Sequence, residues 1–410
     1  MAMLSPEQEH ALDMLRSGEN VFLTGGAGSG KSYLIRHFMN ELNPKQTPIL
    51  ASTGAAAVLL GGRTFHSFFG LGIMDGGVDA TYERACKDQR LMKRLRDVEG
   101  VIIDEISMIP GAALMIAEAL SQKARDSKLP WGGMRIVCVG DFAQLPPVTR
   151  SGDRDWAFRN EVWPRSGFQI CQLSHNQRTK DNEFLDILSD VRYGKVTQNV
   201  LDFLNEKTQP HDEQDPGTRL FGRRDMSEDF NKKKLNEIDE EEVVIDSIYL
   251  GSEKHIETLA KMAPVPKKLT LKIGARVIFL QNDPQKRWIN GTRGSVGKIE
   301  ADKITVKKDG GREVNVEKTT FSLQDAEGNV NATVIQFPLN LAYATTIHKS
   351  QGATLDELWC DLRSLWEPGQ AYVALSRLRS SSGLKLVGWS PRSIIVDPRV
   401  LEFYKEISTS

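Results

Sequence analysis

Short apolar runs alternate with helical patterns over the first 175 residues of this 410-residue chain. The alternation predicts a parallel sheet covered by helices, beginning with a helix that has Ser5 as its N-cap and Pro6 at its first position. Most runs end in a glycine, a polar or an acidic residue, at the strand ends where α/β sheets bind ligands. The predicted strands are NVFLTG (20–25), TPILAST (47–53), GVIIDE (100–105), MRIVCVGD (134–141) and GFQICQL (167–173).

The pattern changes near residue 266. From there to residue 336, short alternating strands are separated by turn signals such as Asn290-Gly291, which predicts a small antiparallel β module. An α/β pattern then resumes, so the module is predicted to be an insertion into a second α/β lobe. The expected division is 1–165 for the first lobe with a small loop subdomain around 65–80, 166–265 and 337–410 for the second lobe, and 266–336 for the module.

Composition narrows the possible partners and compartment. The chain has 53 Lys plus Arg and 54 Asp plus Glu, so any surface that binds nucleic acid must be local. No apolar stretch approaches the roughly 20 residues of a membrane span. The four cysteines are scattered without a CxxC pair, which favours buried thiols over disulfides or a metal site. We therefore expect a cytoplasmic protein with no membrane association.

A nucleotide-binding loop follows the first predicted strand. The stretch GGAGSGKS (25–32) matches GxxxxGK[ST] and opens the helical pattern KSYLIRHFMNEL. In such a loop, backbone N–H groups surround the phosphates, Lys31 reaches the β and γ oxygens, and the Ser32 hydroxyl coordinates Mg²⁺. The expected nucleotide-binding residues of the loop are Gly25, Gly26, Ala27, Gly28, Ser29, Gly30, Lys31 and Ser32.

Two other strand ends supply groups for hydrolysis. GVIIDE delivers Asp104 as a carboxylate that anchors Mg²⁺, and Glu105 as a neighbouring carboxylate that polarises the attacking water. The next strand leads into GDFAQLPPV, whose Gln144 is expected beside the γ-phosphate. Together with the loop, these residues predict an NTPase that uses Mg²⁺.

The kind of NTPase depends on the rest of the chain. A GTPase is disfavoured, because Asn231-Lys232 is followed by two lysines and not by the NKxD pattern that reads guanine. A small-molecule kinase leaves the second α/β lobe unexplained, whereas a motor needs an arginine of that lobe to sense the γ-phosphate. Arg178 and Arg377 are the candidates. A P-loop kinase and a nucleic-acid-stimulated ATPase that does not unwind DNA stay open as alternatives.

Several motifs together resemble the Pif-type (petite integration frequency) branch of superfamily 1B DNA helicases, relatives of RecD and Dda. They are FLTGGAGSGKS, VIIDEISM, LPWGGMRIVCVGDFAQLPPV, LAYATTIHKSQGATLD and AYVALSR, in the order that the family has them. The resemblance covers nearly the whole chain, and it implies two RecA-like lobes with an inserted SH3-like module. The chain resembles a minimal bacterial or phage core of the family.

The resemblance also implies the activity. It implies an ATP- and Mg²⁺-dependent DNA helicase, a monomeric motor that moves 5′ to 3′ on single-stranded DNA and unwinds duplex junctions. Its implied substrates include forks, RNA–DNA hybrids and G-quadruplexes, in DNA replication, repair, recombination or telomere maintenance.

Residue roles follow from the same resemblance. Gln8 would read the adenine edge, and Gln351 and Gly352 would lie near the nucleotide cleft. Arg178 and Arg377 would contact the γ-phosphate from the second lobe, although Gln177-Arg178-Thr179 stands where the family usually has Phe-Arg-Gln.

Other matching positions are implied to contact DNA. They are Thr53, Gly54, Thr64, His66, Asn290, Thr346, His348, Lys349 and Ser350. For Asn290, a plain hairpin turn is an equally good interpretation. The Gly-rich segment 70–79 is a candidate strand-separating loop or a mere connection.

Overall fold

A computed structural model describes residues 4–54, 56–57, 63–72, 74, 76–147, 153–210, 212, 215, 217–324 and 330–409. The helices it describes are α1 (Pro6–Arg16), α2 (Lys31–Met39), α3 (Phe65–Phe68), α4 (Gly77–Cys86), α5 (Gln89–Asp97), α6 (Gly111–Arg125), α7 (Val162–Arg165), α8 (Asn182–Arg192), α9 (Gln198–Glu206), α10 (Arg224–Asn236), α11 (Glu253–Met262), α12 (Gln370–Leu375) and α13 (Pro398–Thr409). Short 3₁₀ turns are found at Ile106–Met108, Pro130–Gly133, Ala157–Arg159, Leu362–Ser364, Ser381–Gly383 and Pro391–Ser393.

The first lobe is built on a six-stranded parallel sheet in the order β3-β2-β4-β5-β1-β6. Its central strands are fully buried, as expected for apolar runs covered by helices on both faces. Because β4, β5 and β1 are neighbours, the loops after them meet at one edge of the sheet. The strands are β1 (Val21–Gly25), β2 (Ile49–Ala51), β3 (Arg63–Thr64), β4 (Gly100–Ile103), β5 (Arg135–Val139) and β6 (Gln169–Leu173).

The second lobe is built on a four-stranded parallel sheet in the order β18-β7-β19-β20. Strand β7 comes before the β module in the chain and the other three come after it, so the module is inserted in this lobe. The strands are β7 (Thr218–Phe221), β18 (Ala344–Thr346), β19 (Leu358–Asp361) and β20 (Leu384–Gly388). The predicted α/β fold with two parallel sheets is confirmed.

The inserted module consists of antiparallel sheets of five, three and two strands, in the orders β14-β13-β12-β11-β17, β15-β16-β9 and β10-β8. Its first sheet closes around a core that contains Phe279, Trp288 and Phe337. Its strands are β8 (Val243–Asp246), β9 (Ile248–Gly251), β10 (Lys268–Leu271), β11 (Arg276–Phe279), β12 (Arg293–Ile299), β13 (Lys303–Lys308), β14 (Glu313–Glu317), β15 (Thr319–Gln324), β16 (Val330–Gln336) and β17 (Leu339–Leu341).

Three boundaries differ from the expected division. Strand β6 pairs with β1, so the first sheet extends beyond residue 165 to Leu173. Strands β8 and β9 pair with β10 and β16, so the module's strands begin at Val243 and end at Leu341, not at 266 and 336. The C-terminal helix α13 leaves the second lobe and packs Phe403 and Tyr404 into the first core. All three differences arise from strand pairing or side-chain packing between segments that are separated in sequence.

None of the helices in the described parts of the chain has the length and apolar composition needed to cross a membrane.

Candidate nucleotide and nucleic-acid site

The loop between β1 and α2 has the backbone of a phosphate-binding loop. Gly25, Gly28 and Gly30 have φ values of 146°, 83° and 92°, a region that glycine adopts without steric cost. The Nζ atom of Lys31 donates to the carbonyl oxygens of Gly25 and Gly26 at 2.7 and 3.1 Å. The ammonium group therefore lies over the loop, where the phosphates of a nucleotide would be bound.

Other loop positions agree with the predicted arrangement. Ala27 and Ser29 are buried, and Ser32 is exposed in the first turn of α2. The Ser29 hydroxyl has no hydrogen-bond partner among the described residues, although it is buried. Phosphate binding by these residues stays a prediction.

Gln8 lies beside the loop and takes part in helix capping. Its Oε1 accepts the Ser5 N–H at 3.1 Å, while the Ser5 hydroxyl oxygen accepts the Gln8 N–H at 3.3 Å, which confirms Ser5 as the N-cap of α1. A Cβ on Gly30 would lie 2.5 Å from Gln8 Nε2, so this amide group faces the loop. The predicted contact with adenine stays a prediction, and the Nε2 group is free of the capping interaction that Oε1 makes.

The two predicted carboxylates stand side by side at the end of β4. Glu105 has φ 53° and ψ 50°, a left-handed conformation that is uncommon for a residue with a side chain and that directs it into the site. Asp104 Oδ1 accepts the Glu105 N–H at 3.0 Å. Burial raises the pKa of both carboxyls, and with the neighbouring Asp104 charge it raises the pKa of Glu105 to about 7. Glu105 is thereby suited to accept a proton near neutral pH.

The second lobe closes over these carboxylates through Gln351. Its Nε2 donates to Glu105 Oε2 at 3.0 Å and approaches Gln144 Oε1 at 3.5 Å. Gln144 is buried, and Gly352, with φ 78°, continues the turn beyond Gln351. The structure thus brings together side chains from β4, from the loop after β5 and from the second lobe.

The two predicted arginines are neighbours in the same cleft. Arg178 Nη1 donates to the Ser376 carbonyl. Arg377 donates to the carbonyls of Val373 at 2.8 Å and Ser350 at 3.4 Å. Burial lowers the pKa of both guanidinium groups, and together with the nearby Arg178 charge it lowers that of Arg377 to about 9. The buried Arg377 and the half-buried Arg178, which both donate to carbonyl oxygens, form a site that an anion would stabilise.

The structure adds two residues that sequence reasoning missed at the loop. Asn176 Nδ2 donates to the Ala27 carbonyl at 2.8 Å, and the Tyr372 hydroxyl accepts the Ala27 N–H at 2.7 Å. Tyr372 belongs to α12 of the second lobe, so a side chain from each side of the cleft holds Ala27. Tyr372 lies within the motif AYVALSR, but neither that motif nor the sequence around Asn176 indicates a contact with Ala27, because the contact depends on how the lobes meet.

A buried ion pair that sequence reasoning also missed joins the two lobes. Asp141 follows β5 and accepts from Arg192 of α8, with Nη2–Oδ1 and Nε–Oδ2 distances of 3.0 and 3.1 Å. The Tyr404 hydroxyl of α13 donates to Asp141 Oδ1 at 2.9 Å. Burial raises the pKa of Asp141, but the charges of Arg192 and Lys31 together with the hydrogen bonds from Arg192 and Tyr404 hold that pKa below its usual value. Asp141 lies within the motif GDFAQLPPV and directly after a strand, and these are the sequence signals that could have identified it.

The residues implied to contact DNA in the second lobe divide into two groups. Thr346 Oγ1 accepts the Lys349 N–H at 3.2 Å, and the Ser350 hydroxyl donates to the Ile347 carbonyl at 2.8 Å; both side chains are buried in the turn after β18. His348 is half-buried and Lys349 is exposed. Lys349 is available to a ligand, His348 Nε2 lies 3.6 Å from Glu367 Oε2, and the inner pair shapes the turn.

The corresponding residues of the first lobe also shape turns. Thr53 and Thr64 accept, through Oγ1, the backbone N–H three residues later at 3.3 and 3.2 Å. A Cβ on Gly54 would lie 2.6 Å from Met262 of α11, so this glycine contacts the helix of the inserted module. Burial lowers the pKa of His66, which is therefore neutral at neutral pH. DNA contact by these residues stays a prediction.

Two further predictions concern exposed connections. Asn290 is exposed, and its N–H donates to Asn282 Oδ1 at 2.8 Å within the turn before β12. In the segment 70–79, Leu71 is buried in the first core and α4 begins at Gly77, while residues 73 and 75 lie outside the described residues. The described part of this segment is anchored in the first lobe, and its role as a strand-separating loop or as a connection stays a prediction.

Comparison with known proteins adds independent findings. A family model described as PIF1-like helicase matches residues 3–201. A protein of Bdellovibrio bacteriovorus named ATP-dependent DNA helicase Pif1 is 75% identical over 403 residues, which cover 98% of this chain and 92% of the relative.

The chain belongs to the Pif1 helicase family. The predicted resemblance is confirmed, and so is the enzyme class, an ATP-hydrolysing helicase.

Solved Pif1 structures match over the whole chain. Bacteroides Pif1 in complex with ADP-AlF4 is 30% identical and has a TM-score of 0.88, covering 100% of this chain and 98% of the other. Bacteroides Pif1 bound to single-stranded DNA, with the same identity and coverage, has a TM-score of 0.68. The structure is thus more similar to the ADP-AlF4 complex than to the complex with single-stranded DNA, and unliganded Bacteroides Pif1 matches nearly as well as the ADP-AlF4 complex, with a TM-score of 0.86.

Proposed function

We propose that this Pif1-family protein is a motor that moves 5′ to 3′ on single-stranded DNA and unwinds duplex DNA as it hydrolyses ATP. The observation that carries the proposal is the division of the hydrolytic site between lobes, in which Gln351 of one lobe bonds to Glu105 of the other. A nucleotide bound there contacts both lobes, so hydrolysis changes the free energy of cleft closure.

The residues of the site fit Mg²⁺ as a companion of ATP. Among the described residues, no group of three or more His, Cys, Asp or Glu side chains could hold a metal ion. Mg²⁺ bound through phosphates and water needs only one or two protein oxygens, which the Ser32 hydroxyl and the Asp104 carboxylate offer. Mg²⁺ bound there would supply charge neutralisation for the phosphates.

The side chains then have distinct roles. Lys31 exchanges its bonds to the loop carbonyls for bonds to the β and γ oxygens of ATP. Glu105 accepts a proton from the attacking water, which Gln144 orients. Arg178 and Arg377 stabilise the charge on the transferring phosphoryl group.

Single-stranded DNA is the proposed track. A solved Pif1 relative is bound to single-stranded DNA, and the exposed Lys349 and Asn290 offer a charge and an amide on the surface of this chain. Thr53, Gly54, Thr64, His66 and His348 extend the proposed contacts, while Thr346 and Ser350 hold the turn that presents Lys349. We propose forks and other duplex junctions as substrates, with RNA–DNA hybrids and G-quadruplexes as further ones, for a motor that acts as a monomer in replication, repair or recombination.

We also propose that the protein acts in the cytoplasm. The support is that all four cysteines are free and that Cys138, Cys171 and Cys360 are buried in the protein interior, as in proteins of reducing compartments.

Strand displacement tests the proposal. The full chain, ATP and Mg²⁺ are mixed with duplexes that carry either a 5′ or a 3′ single-stranded tail, and ATP turnover is followed in parallel. We expect single-stranded DNA to stimulate hydrolysis and the 5′-tailed duplex alone to be unwound. Preferential displacement from the 3′ tail would overturn the direction, and absence of stimulation by DNA would overturn the motor.

The second candidate function is a translocase that hydrolyses ATP on DNA but does not separate strands. The division of the site between two lobes favours this alternative over a small-molecule kinase. DNA-stimulated hydrolysis without displacement from either duplex would establish that alternative.

A further inference from the structure

The Tyr372 hydroxyl is placed directly over the nucleotide-binding loop. It accepts the Ala27 N–H at 2.7 Å, and a Cβ on Gly26 would lie 3.3 Å from it. The residue belongs to α12 of the second lobe, and its ring packs in the second core, where Ala27 and Leu145 of the first lobe meet it. A side chain of one lobe thus reaches a backbone group of the other.

This hydroxyl is buried, and its own proton has no acceptor among the described residues. A hydroxyl can accept and donate at once, and a buried donor without an acceptor is costly. Tyr404 provides a contrast in the same part of the molecule, because its buried hydroxyl donates to Asp141 and also contacts Thr24 and the Phe142 N–H. Tyr372 therefore retains an unused donor at the edge of the nucleotide site.

The location of the donor indicates which part of the nucleotide it faces. Lys31 lies over the same stretch of loop, at the carbonyls of Gly25 and Gly26, and the lysine of such loops reaches the β and γ oxygens. Arg377 follows Tyr372 by five residues, just beyond the C-cap Ser376 of the same helix, and is close enough to interact with it electrostatically. The donor thus lies with two cations at the end of the site where the terminal phosphate would be bound.

Burial also keeps the hydroxyl protonated, because it raises the pKa of Tyr372 far above neutrality. The group is therefore a neutral donor throughout the physiological pH range.

We propose that Tyr372 senses the terminal phosphate of ATP across the cleft, donating to a γ-phosphate oxygen while it keeps the Ala27 N–H as its donor. The proposal rests on the ATP-driven function given above and adds a residue that distinguishes ATP from ADP. ADP has no γ-phosphate, so the hydrogen bond from the Tyr372 hydroxyl to the nucleotide does not form.

The test is nucleotide affinity in the variant Tyr372→Phe, which keeps the ring and removes only the hydroxyl. A fluorescent non-hydrolysable ATP analogue and the matching ADP analogue are titrated into the full chain with Mg²⁺. Because a hydrogen bond to a charged group is lost, we expect affinity for the ATP analogue to fall about tenfold or more, and that for the ADP analogue to stay within about twofold.

A matched control is Tyr343→Phe, since the Tyr343 hydroxyl accepts the Arg276 N–H at 3.0 Å in the β module. It should leave both affinities unchanged. A second variant carries 3-fluorotyrosine at position 372, whose more acidic hydroxyl is a stronger donor. It should raise affinity for the ATP analogue relative to the ADP analogue. This variant also tests the proposal if Tyr372→Phe does not fold.

A folded Tyr372→Phe protein with an unchanged ratio of ATP to ADP affinity would overturn the proposal, as would an unchanged ratio with fluorotyrosine. Wild-type strand displacement is measured on the same preparation. A wild-type protein that unwinds DNA while the ratio is unchanged overturns only the role of Tyr372, whereas a wild-type protein that DNA does not stimulate overturns the proposed motor.

Discussion

Lys31 is the residue whose removal should separate hydrolysis from DNA binding. Its Nζ atom donates to the carbonyl oxygens of Gly25 and Gly26, and among the described residues no hydrogen bond joins it to a residue implied to contact DNA. We expect Lys31→Ala to lower ATP turnover by roughly 100-fold or more, because the charge that faces the phosphates is lost. Single-stranded DNA affinity, measured by fluorescence anisotropy, should be unchanged. A parallel loss of DNA affinity would mean that the variant disturbs the fold and not the phosphate contacts alone.

Glu105 should impose a pH dependence on hydrolysis. Burial and the Asp104 charge raise its pKa to about 7, so the side chain is protonated and inactive as a base below that pH. DNA-stimulated kcat/KM should therefore rise as the pH increases through about 7 and become constant above it. Glu105→Gln should abolish turnover and leave nucleotide binding intact. A flat profile between pH 6 and about 8 would contradict this role for Glu105.

At the scale of elements, the C-terminal helix α13 is a part of the first lobe. Phe403 is 6% exposed and its ring lies 5.3 Å from that of Phe142 and 4.5 Å from that of Phe158. Phe403→Ala should lower the free energy of unfolding by about 3 to 5 kcal/mol, because it leaves a cavity among aromatic side chains. Denaturant titration followed by tryptophan fluorescence measures the change, with the exposed Leu129→Ala as a control of small effect. An effect as small as that of the control would exclude a packing role for α13.

The elements differ in how far the sequence could predict them. The strand ends at Gly25, Asp104 and Gln144 were predictable, because an apolar run followed by a polar residue is a local signal. The assignment of β6 to the first sheet and of β8 to the module was not, since each depends on a distant pairing partner.

In the candidate site, too, local signals were predictable and contacts between distant segments were not. Motif residues such as Lys31 and Glu105 were identified, whereas Arg192, and Tyr372 within its motif AYVALSR, acquire their contacts only when the lobes meet. The side chains of Thr346 and Ser350 are buried in the turn after β18, although their motif implied contact with DNA.

At the scale of the whole molecule, the Asp141–Arg192 ion pair ties the two lobes together. Both side chains are buried, so removal of one partner leaves an uncompensated charge. Asp141→Ala should destabilise the protein by roughly 3 to 5 kcal/mol, and the double variant Asp141→Ala with Arg192→Met should recover part of that loss. Thermal unfolding of both single variants and the double variant gives the coupling energy. Additive effects would indicate that the pair does not act as a unit.

The central claim is that the second lobe completes the ATP site of the first, and Arg377→Ala tests it most directly. Arg377 is buried between Val373, Ser350 and Ser376 of its own lobe, yet it interacts electrostatically with Glu105 across the cleft. The measurement is the steady-state rate of ATP hydrolysis with saturating single-stranded DNA, beside the DNA affinity of the same preparation. We predict a rate roughly 1,000-fold below wild type with DNA affinity retained. A DNA-stimulated rate equal to that of the wild type would contradict the account.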